Sequence, residues 1–255
     1  MRNLSKKQAL TLAVDAGNSR VKVGLFTDNQ AHPTSVHVFK NAKTKLRNFL
    51  LEHKNDALIF SSVSGLAMEE VVPEEFIRKI NLNHSLAMPF VSHYQNPESL
   101  GTDRMANAAA LCTVFNGKNA LCVDAGTCLK FDFVDQNAHY LGGSIAPGLN
   151  MRMKAMHQFT NKLPLLEVEK FQQLIGQNTK QSMLAGGVLG FKAEVREMVA
   201  LYRAQYPELT IVITGGDMSF LQDALKNNIF AEKDFTLIGL NSILMHLINT
   251  HQLFA

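Results

Sequence analysis

Residues 14–26 read VDAGNSRVKVGLF, and residues 123–134 read VDAGTCLKFDFV. Both open on Val-Asp-Ala-Gly, follow the glycine with Asn or Thr, and run on into alternating polar and apolar positions. Alternation with a period of two marks a half-buried strand, and a short glycine-containing polar stretch between apolar runs marks a tight turn. Each stretch therefore predicts a strand, an acidic glycine turn and a second strand. Glycine at the tip permits tight backbone angles and close approach of a ligand. The row of N–H groups exposed there is suited to phosphate oxygens. Asn18, Ser19 and Thr127 add side-chain donors. Asp15 and Asp124 repel phosphate, which implies a cation between carboxylate and phosphate. Taken singly, each turn is ordinary hairpin chemistry. Two of them facing each other would grip one polyphosphate from both sides.

A third glycine turn strengthens that reading. ITGGD, residues 213–217, follows a buried apolar run, and Gly215-Gly216 would let a flat base lie against backbone. It is not a dinucleotide-binding G-x-G-x-x-G, and no G-x-x-x-x-G-K-[ST] loop occurs in the chain. Around these turns, ALIFSSVSG (57–65) and MPFVSHY (88–94) predict strands, while EEVVPEEFIRKI (69–80) and DRMANAAALCTVF (103–115) predict helices. The theme then restarts with NALCVDAG (119–126) as strand plus turn, LKFDFVD (129–135) as an alternating strand and YLGGSIAPGLN (140–150) as strand plus a Gly/Pro loop. Helical stretches follow at MRMKAMHQF (151–159), at the glycine-interrupted 178–207, and at IGLNSILMHLIN (238–249). Mixed strands and helices with a repeated opening predict two similar α/β halves, residues 1–116 and 117–255, divided at Asn116-Gly117-Lys118.

Composition removes several function classes. The chain has 255 residues, 46% hydrophobic and 18% charged, which is an ordinary globular mixture. A net charge of +3 with no basic run gives no nucleic-acid surface. Cys112, Cys122 and Cys128 are odd in number and lack C-x-x-C spacing, against a disulfide framework or a zinc site and in keeping with a reducing cytoplasm. Asp15 interrupts the first apolar run too early for a signal peptide, and no stretch approaches the roughly 18 apolar residues of a membrane span. The expectation is a soluble cytoplasmic protein. Met151, Met153 and Met156 read as helix packing rather than as a ligand site.

The ordered set DAGNSRVK, GTDR, DAGT with GGSIAPGL, and TGGD resembles the type III pantothenate kinases, within the superfamily of acetate and sugar kinases, Hsp70 and actin. The resemblance runs from Asp15 to Asp217. It implies two actin-like, ribonuclease H-like α/β halves with a nucleotide cleft between them, and ATP-dependent phosphorylation of pantothenate, the first step toward coenzyme A. Asp15, Ala16, Gly17, Asn18, Ser19, Arg20, Val21 and Lys22 match the first phosphate motif, and Asp124 to Thr127 the second. Gly215 and Gly216 belong to the adenosine motif. The aspartate matching Asp124 holds a monovalent cation in the family, potassium or ammonium, and Mg accompanies ATP. Gly101, Thr102, Asp103 and Arg104 match the pantothenate motif, with Asp103 in the place of the catalytic base. Tyr94 matches a substrate-contacting tyrosine, and Thr179 a threonine that reaches pantothenate across a homodimer interface. FTNKLP (159–164) resembles the family's Thr-Ala-x-Leu-Pro element. Two departures stand out. Asn18-Ser19 replaces Asn-Thr, which keeps the hydroxyl. Cys128-Leu129-Lys130 replaces the common Ala-x-Thr, so Lys130 either adds a charge contact at the phosphate site or points outward along its strand.

The residue types suit the chemistry. Phosphoryl transfer to a primary hydroxyl needs an in-line acceptor, a base and charge neutralisation. Asp103 offers the base, and Arg104 a planar fork for a carboxylate or phosphate. Thr102-Asp103 opening a helix is also ordinary capping chemistry, and Arg20 with Lys22 forms either an ATP-facing pair or a solvated edge. Two other functions remain open on the sequence: a non-catalytic nucleotide-binding regulatory relative, and a kinase for another small hydroxy acid. Retention of both Asp103 and Arg104 weighs against the first, and Tyr94 with GTDR against the second.

Overall fold

The computed structural model describes residues 10–27, 30–40, 42–54, 56–221 and 229–250, so the basic opening of the chain lies outside the described residues. In chain order the elements begin β1 (Leu10–Ala16), β2 (Val21–Thr27), β3 (Ser35–Phe39), α1 (Lys43–Leu51), β4 (Ala57–Ser62), β5 (Lys79–Asn81), β6 (Val91–Ser92) and α2 (Thr102–Val114). There follow β7 (Ala120–Ala125), β8 (Cys128–Val134), β9 (His139–Pro147), α3 (Leu149–Gln158) and α4 (Thr179–Leu184). The chain continues through α5 (Gly190–Gln205), β10 (Thr210–Thr214), β11 (Ile229–Ala231) and α6 (Phe235–Asn249). They form two compact units, Met1–Asn116 with Asp234–Ala255, and Gly117–Lys233.

The first unit carries a sheet in the order β3-β2-β1-β4-β5. β1 runs antiparallel to β2 and parallel to β4. The second unit repeats this plan as β9-β8-β7-β10-β11, with β7 antiparallel to β8 and parallel to β10. In both, the Val-Asp-Ala-Gly stretch ends the central strand, so the doubled sequence motif is a doubled place in the topology. The central strands are buried because they carry apolar side chains on both faces, as parallel-paired strands do. Leu12, Val14, Leu58 and Phe60 anchor one core, and Leu121, Val123, Phe131 and Ile211 the other.

The last residues correct the expected division. The sequence placed 117–255 in one half, yet Asp234–Ala255 belongs to the first unit. The reason is the nearly all-round apolar surface of α6, whose Leu237, Leu240, Ile243 and Leu244 are fully buried. The helix packs on α2, itself buried from Arg104 to Cys112, and on β1. Polar contacts pin the contact: Thr11 Oγ1 donates to Asn241 Oδ1 at 2.6 Å, and Thr236 Oγ1 to Asn107 Oδ1 at 3.1 Å. Gly239 lets the helices approach so closely that a Cβ there would lie 1.8 Å from the Ala106 carbonyl oxygen. Gly239→Ala must therefore part α2 from α6. The expected cost is about 1–3 kcal/mol, lowering Tm by about 2–12 °C. An unchanged melting curve would show that the approach is not needed.

Two local expectations differ. Residues 69–80 form no long helix; a 3-10 turn at Met68–Glu70 gives way to irregular chain before β5. Pro73 lacks the N–H a helix needs, and Val71, Val72 and Phe76 are buried without one. In 88–94 the strand is confined to Val91–Ser92. The glycine-interrupted helix of 178–207 contains a five-residue π turn at Ala185–Leu189. A Cβ at Gly187 in that turn would lie 2.3 Å from Met153 Cε and 3.9 Å from Met156 Cε, so these two methionines of α3 pack there as expected, whereas Met151 is exposed because it points to the helix's outer face.

Candidate active site

The first loop is the tip of the β1-β2 hairpin. Gly17 N–H donates to the Arg20 carbonyl at 3.1 Å, closing the turn and leaving Asn18, Ser19 and Arg20 exposed. Ala16 ends β1 in the core, and Val21 begins β2. A cavity of about 300 Å³ opens at this tip, lined by Asn18, Ser19 and Arg20 together with Lys43, Ser64 and Gly65. Glu70 also lines it, and the Lys43 hydrogen bond holds its carboxyl below the usual carboxylate range. Asp15 and Lys22 are direct cross-strand partners, which places their side chains on one sheet face. Lys22 Nζ also reaches Asp234 Oδ1 at 3.2 Å, so Arg20 and Lys22 are not equivalent: one lies in the turn and the other is half-buried in an ion pair. Asp234 has no signal near the motif, being 212 residues away in the chain.

The Gly101-Thr102-Asp103-Arg104 stretch opens α2. Gly101 is the N-cap and Thr102 the first helical residue. The Thr102 hydroxyl accepts from Ser61 Oγ at 2.9 Å, tying the helix start to the end of β4. Asp103 is partly exposed, and its Oδ1 accepts the Arg104 amide at 2.8 Å. Arg104 is 4% exposed, and its guanidinium carbon lies 5.7 Å from the centre of the Tyr94 ring. That is within cation–π range. Tyr94, Asp103 and Arg104 thus come together at one helix N-terminus, where the helix dipole favours negative ligand groups. A Cβ on Gly101 would lie 2.6 Å from Asp103 Oδ1, although the glycine's own angles (φ −60°, ψ 139°) suit any residue. Gly101→Ala should therefore spare the fold and swing the carboxylate. Turnover is expected to fall by up to about 10²-fold at nearly constant Tm, as steady-state kinetics beside thermal melting would read.

The second loop is the tip of the β7-β8 hairpin. Gly126 N–H donates to the Cys128 carbonyl at 3.0 Å, and the Gly148 N–H to the Thr127 carbonyl at 3.2 Å. Thr127 is exposed at the tip. Gly215 follows β10 with φ +94°, and a Cβ there would lie 2.3 Å from the Ala125 carbonyl oxygen. The Asp217 amide donates to that same oxygen at 2.8 Å, so the TGGD turn with Gly216 is strapped directly to the second loop. Burial pushes the Asp217 carboxyl above its ordinary value. Asp124 is 8% exposed, and Lys130, its partner across the hairpin, places Nζ 2.8 Å from Asp124 Oδ2. Of the two orientations open to Lys130, the charge contact is the one observed. Thr179 begins α4 and is exposed; the neighbouring Asn178 caps that helix by accepting the Gln181 amide at 3.0 Å. Among the described residues, no cluster of three or more His, Cys, Asp or Glu side chains could hold a metal, and no helix is long and apolar enough to cross a membrane.

The duplicated five-strand plan with an acidic turn at each central strand is the actin-like, ribonuclease H-like α/β fold expected from the sequence. A Baf family protein of known structure from Campylobacter jejuni superposes with a TM-score of 0.58 at 22% identity, covering 93% of this chain and 99% of the other. A family model described as type III pantothenate kinase matches residues 11–201. Proteins named type III pantothenate kinase from Christiangramia forsetii and Flavobacterium psychrophilum are 37% and 38% identical to the chain, each over 92% of this chain and 98% of the relative. The chain belongs to the type III pantothenate kinase family.

Proposed function

We propose that this protein transfers the γ-phosphoryl group of ATP to the primary hydroxyl of pantothenate, giving 4'-phosphopantothenate and opening coenzyme A biosynthesis. The observation that carries this reading is the gathering of Tyr94, Asp103 and Arg104 at the start of α2 in a chain of this family. Asp103 takes the hydroxyl proton as the acceptor oxygen attacks. Arg104, held by burial and the Tyr94 ring, fixes the substrate's negative end. Gly101 and Thr102 shape the helix start around it. The amides and side chains of the first loop, with Thr127 of the second, bind the phosphates, and Gly215 and Gly216 lie against the base. Asp15 at the first loop is a suitable carboxylate for Mg²⁺, which takes one or two carboxylates beside phosphate oxygens and neutralises developing charge.

The family resemblance also implies a monovalent cation at Asp124, whose place Lys130 contests. A homodimer in which Thr179 completes the partner's pantothenate site is supported by the exposure of Leu174 and Ile175, 81% and 79%, just upstream of that threonine. The reaction's ATP and an odd number of cysteines without C-x-x-C spacing fit a cytoplasmic location. The test is ADP release that depends on added pantothenate, with the phosphorylated product identified by mass spectrometry. ATP binding without pantothenate-dependent ADP would favour a regulatory relative, and turnover only with other hydroxy acids would redirect the substrate.

A further inference from the structure

The second phosphate loop carries a cation of its own. Asp124 ends β7 and Lys130 stands directly opposite it on β8. Directly opposed residues of an antiparallel pair share a face, so the lysine stem runs back toward the loop. The pair is well shielded, with side chains 12% and 11% exposed for Lys130 and Asp124 and a separation of 2.8 Å from Nζ to Oδ2. The other oxygen, Oδ1, is turned to the glycines: a Cβ at Gly126 would lie 3.2 Å from it, and one at Gly215 only 2.7 Å. The Oδ2 end of the carboxylate is therefore committed to the ammonium, and the Oδ1 end faces the two glycines.

A potassium or ammonium ion does not fit this arrangement. One carboxylate balances one positive charge, and a second cation would meet a fixed ammonium at short range where water screens it poorly. We propose that the Lys130 ammonium takes the place of the monovalent cation at Asp124, so that nucleotide binding and turnover in this protein require neither potassium nor ammonium. The ammonium neutralises Asp124 where it would otherwise repel the incoming phosphates, and being covalently tethered it needs no recruitment from solution. The role in turnover rests on the proposed kinase reaction; occupancy of the ion site does not.

The test uses the full chain in potassium and in tetramethylammonium buffers. Direct product detection by mass spectrometry should show wild-type turnover equal in the two buffers within about twofold, whereas Lys130→Met should lose about tenfold or more without potassium, as expected when one partner of a buried pair is removed, and recover when potassium or ammonium is added. Thermal melting should be cation-independent for the wild type and cation-dependent for the variant. Thallium-205 NMR, with Tl⁺ as the potassium probe, should show no potassium-competable binding to the wild type. Potassium-dependent melting or competable Tl⁺ binding by the wild type would overturn the proposal, as would full activity of Lys130→Met without either ion. If Lys130→Met does not fold, the wild-type melting and Tl⁺ measurements decide alone. Absence of any pantothenate-dependent product would overturn the kinase reading and leave those two measurements still reporting on the ion site.

Discussion

An Asp103→Asn protein is expected to bind ATP as the wild type does and to lose about 10²- to 10⁴-fold in kcat, the usual contribution of a positioned acid–base group. The substitution separates two roles that the sequence left joined. Asp103 Oδ1 accepts the Arg104 amide at 2.8 Å, and the Asn side-chain oxygen can accept the same hydrogen bond. Asn also serves as well as Asp at helix starts, so the beginning of α2 should hold and Tm should change little. What Asn cannot do is take a proton from the pantothenate hydroxyl. A large loss of kcat with unchanged ATP affinity and melting therefore assigns the base. Full turnover would leave Asp103 a helix-start residue only, and the base would have to be sought elsewhere.

Gly215→Ala should cripple the second loop. The position has φ +94°, a conformation that costs a residue with a Cβ about 1–2 kcal/mol. The new Cβ would also meet the Ala125 carbonyl oxygen at 2.3 Å and Asp124 Oδ1 at 2.7 Å. Neither neighbour yields easily: one is backbone at the end of the central strand, and the other belongs to a carboxylate held by Lys130. Overpacking of this kind adds about 1–3 kcal/mol, so both lower Tm and ATP affinity weakened by about tenfold or more are expected. Calorimetric titration with ATP beside thermal melting would read both. Unchanged affinity with lowered Tm would separate the glycine's structural role from nucleotide binding, and no change in either would remove the close approach as a constraint.

The reach of the sequence follows from where its information lies. Each Val-Asp-Ala-Gly unit is local: the strand alternation and the glycine turn sit within a dozen residues, so β1-β2 and β7-β8 are readable without any distant partner. The helix from Thr102 is similarly announced by its own run of helix formers. Residues 69–80 misled because a helical composition surrounds Pro73, and tertiary burial of Val71, Val72 and Phe76 outweighed propensity.

By itself the sequence determined the two hairpin loops, the glycine turn that follows β10, the opening of α2 and the family they resemble, all carried by short contiguous motifs. Only the tertiary structure decided the rest. Apolar surface on nearly every side of α6 must be covered, and packing on α2 and β1 returned the chain's end to the first unit. Lys22 found Asp234 because folding brought distant residues together, a pairing with no local pattern to announce it. Whether Lys130 pointed outward or inward depended on hairpin register, since opposition across the turn places its side chain on the face of Asp124. Side-chain direction in a sheet is set by pairing as well as by composition, and the electrostatics of the second loop follow from that pairing.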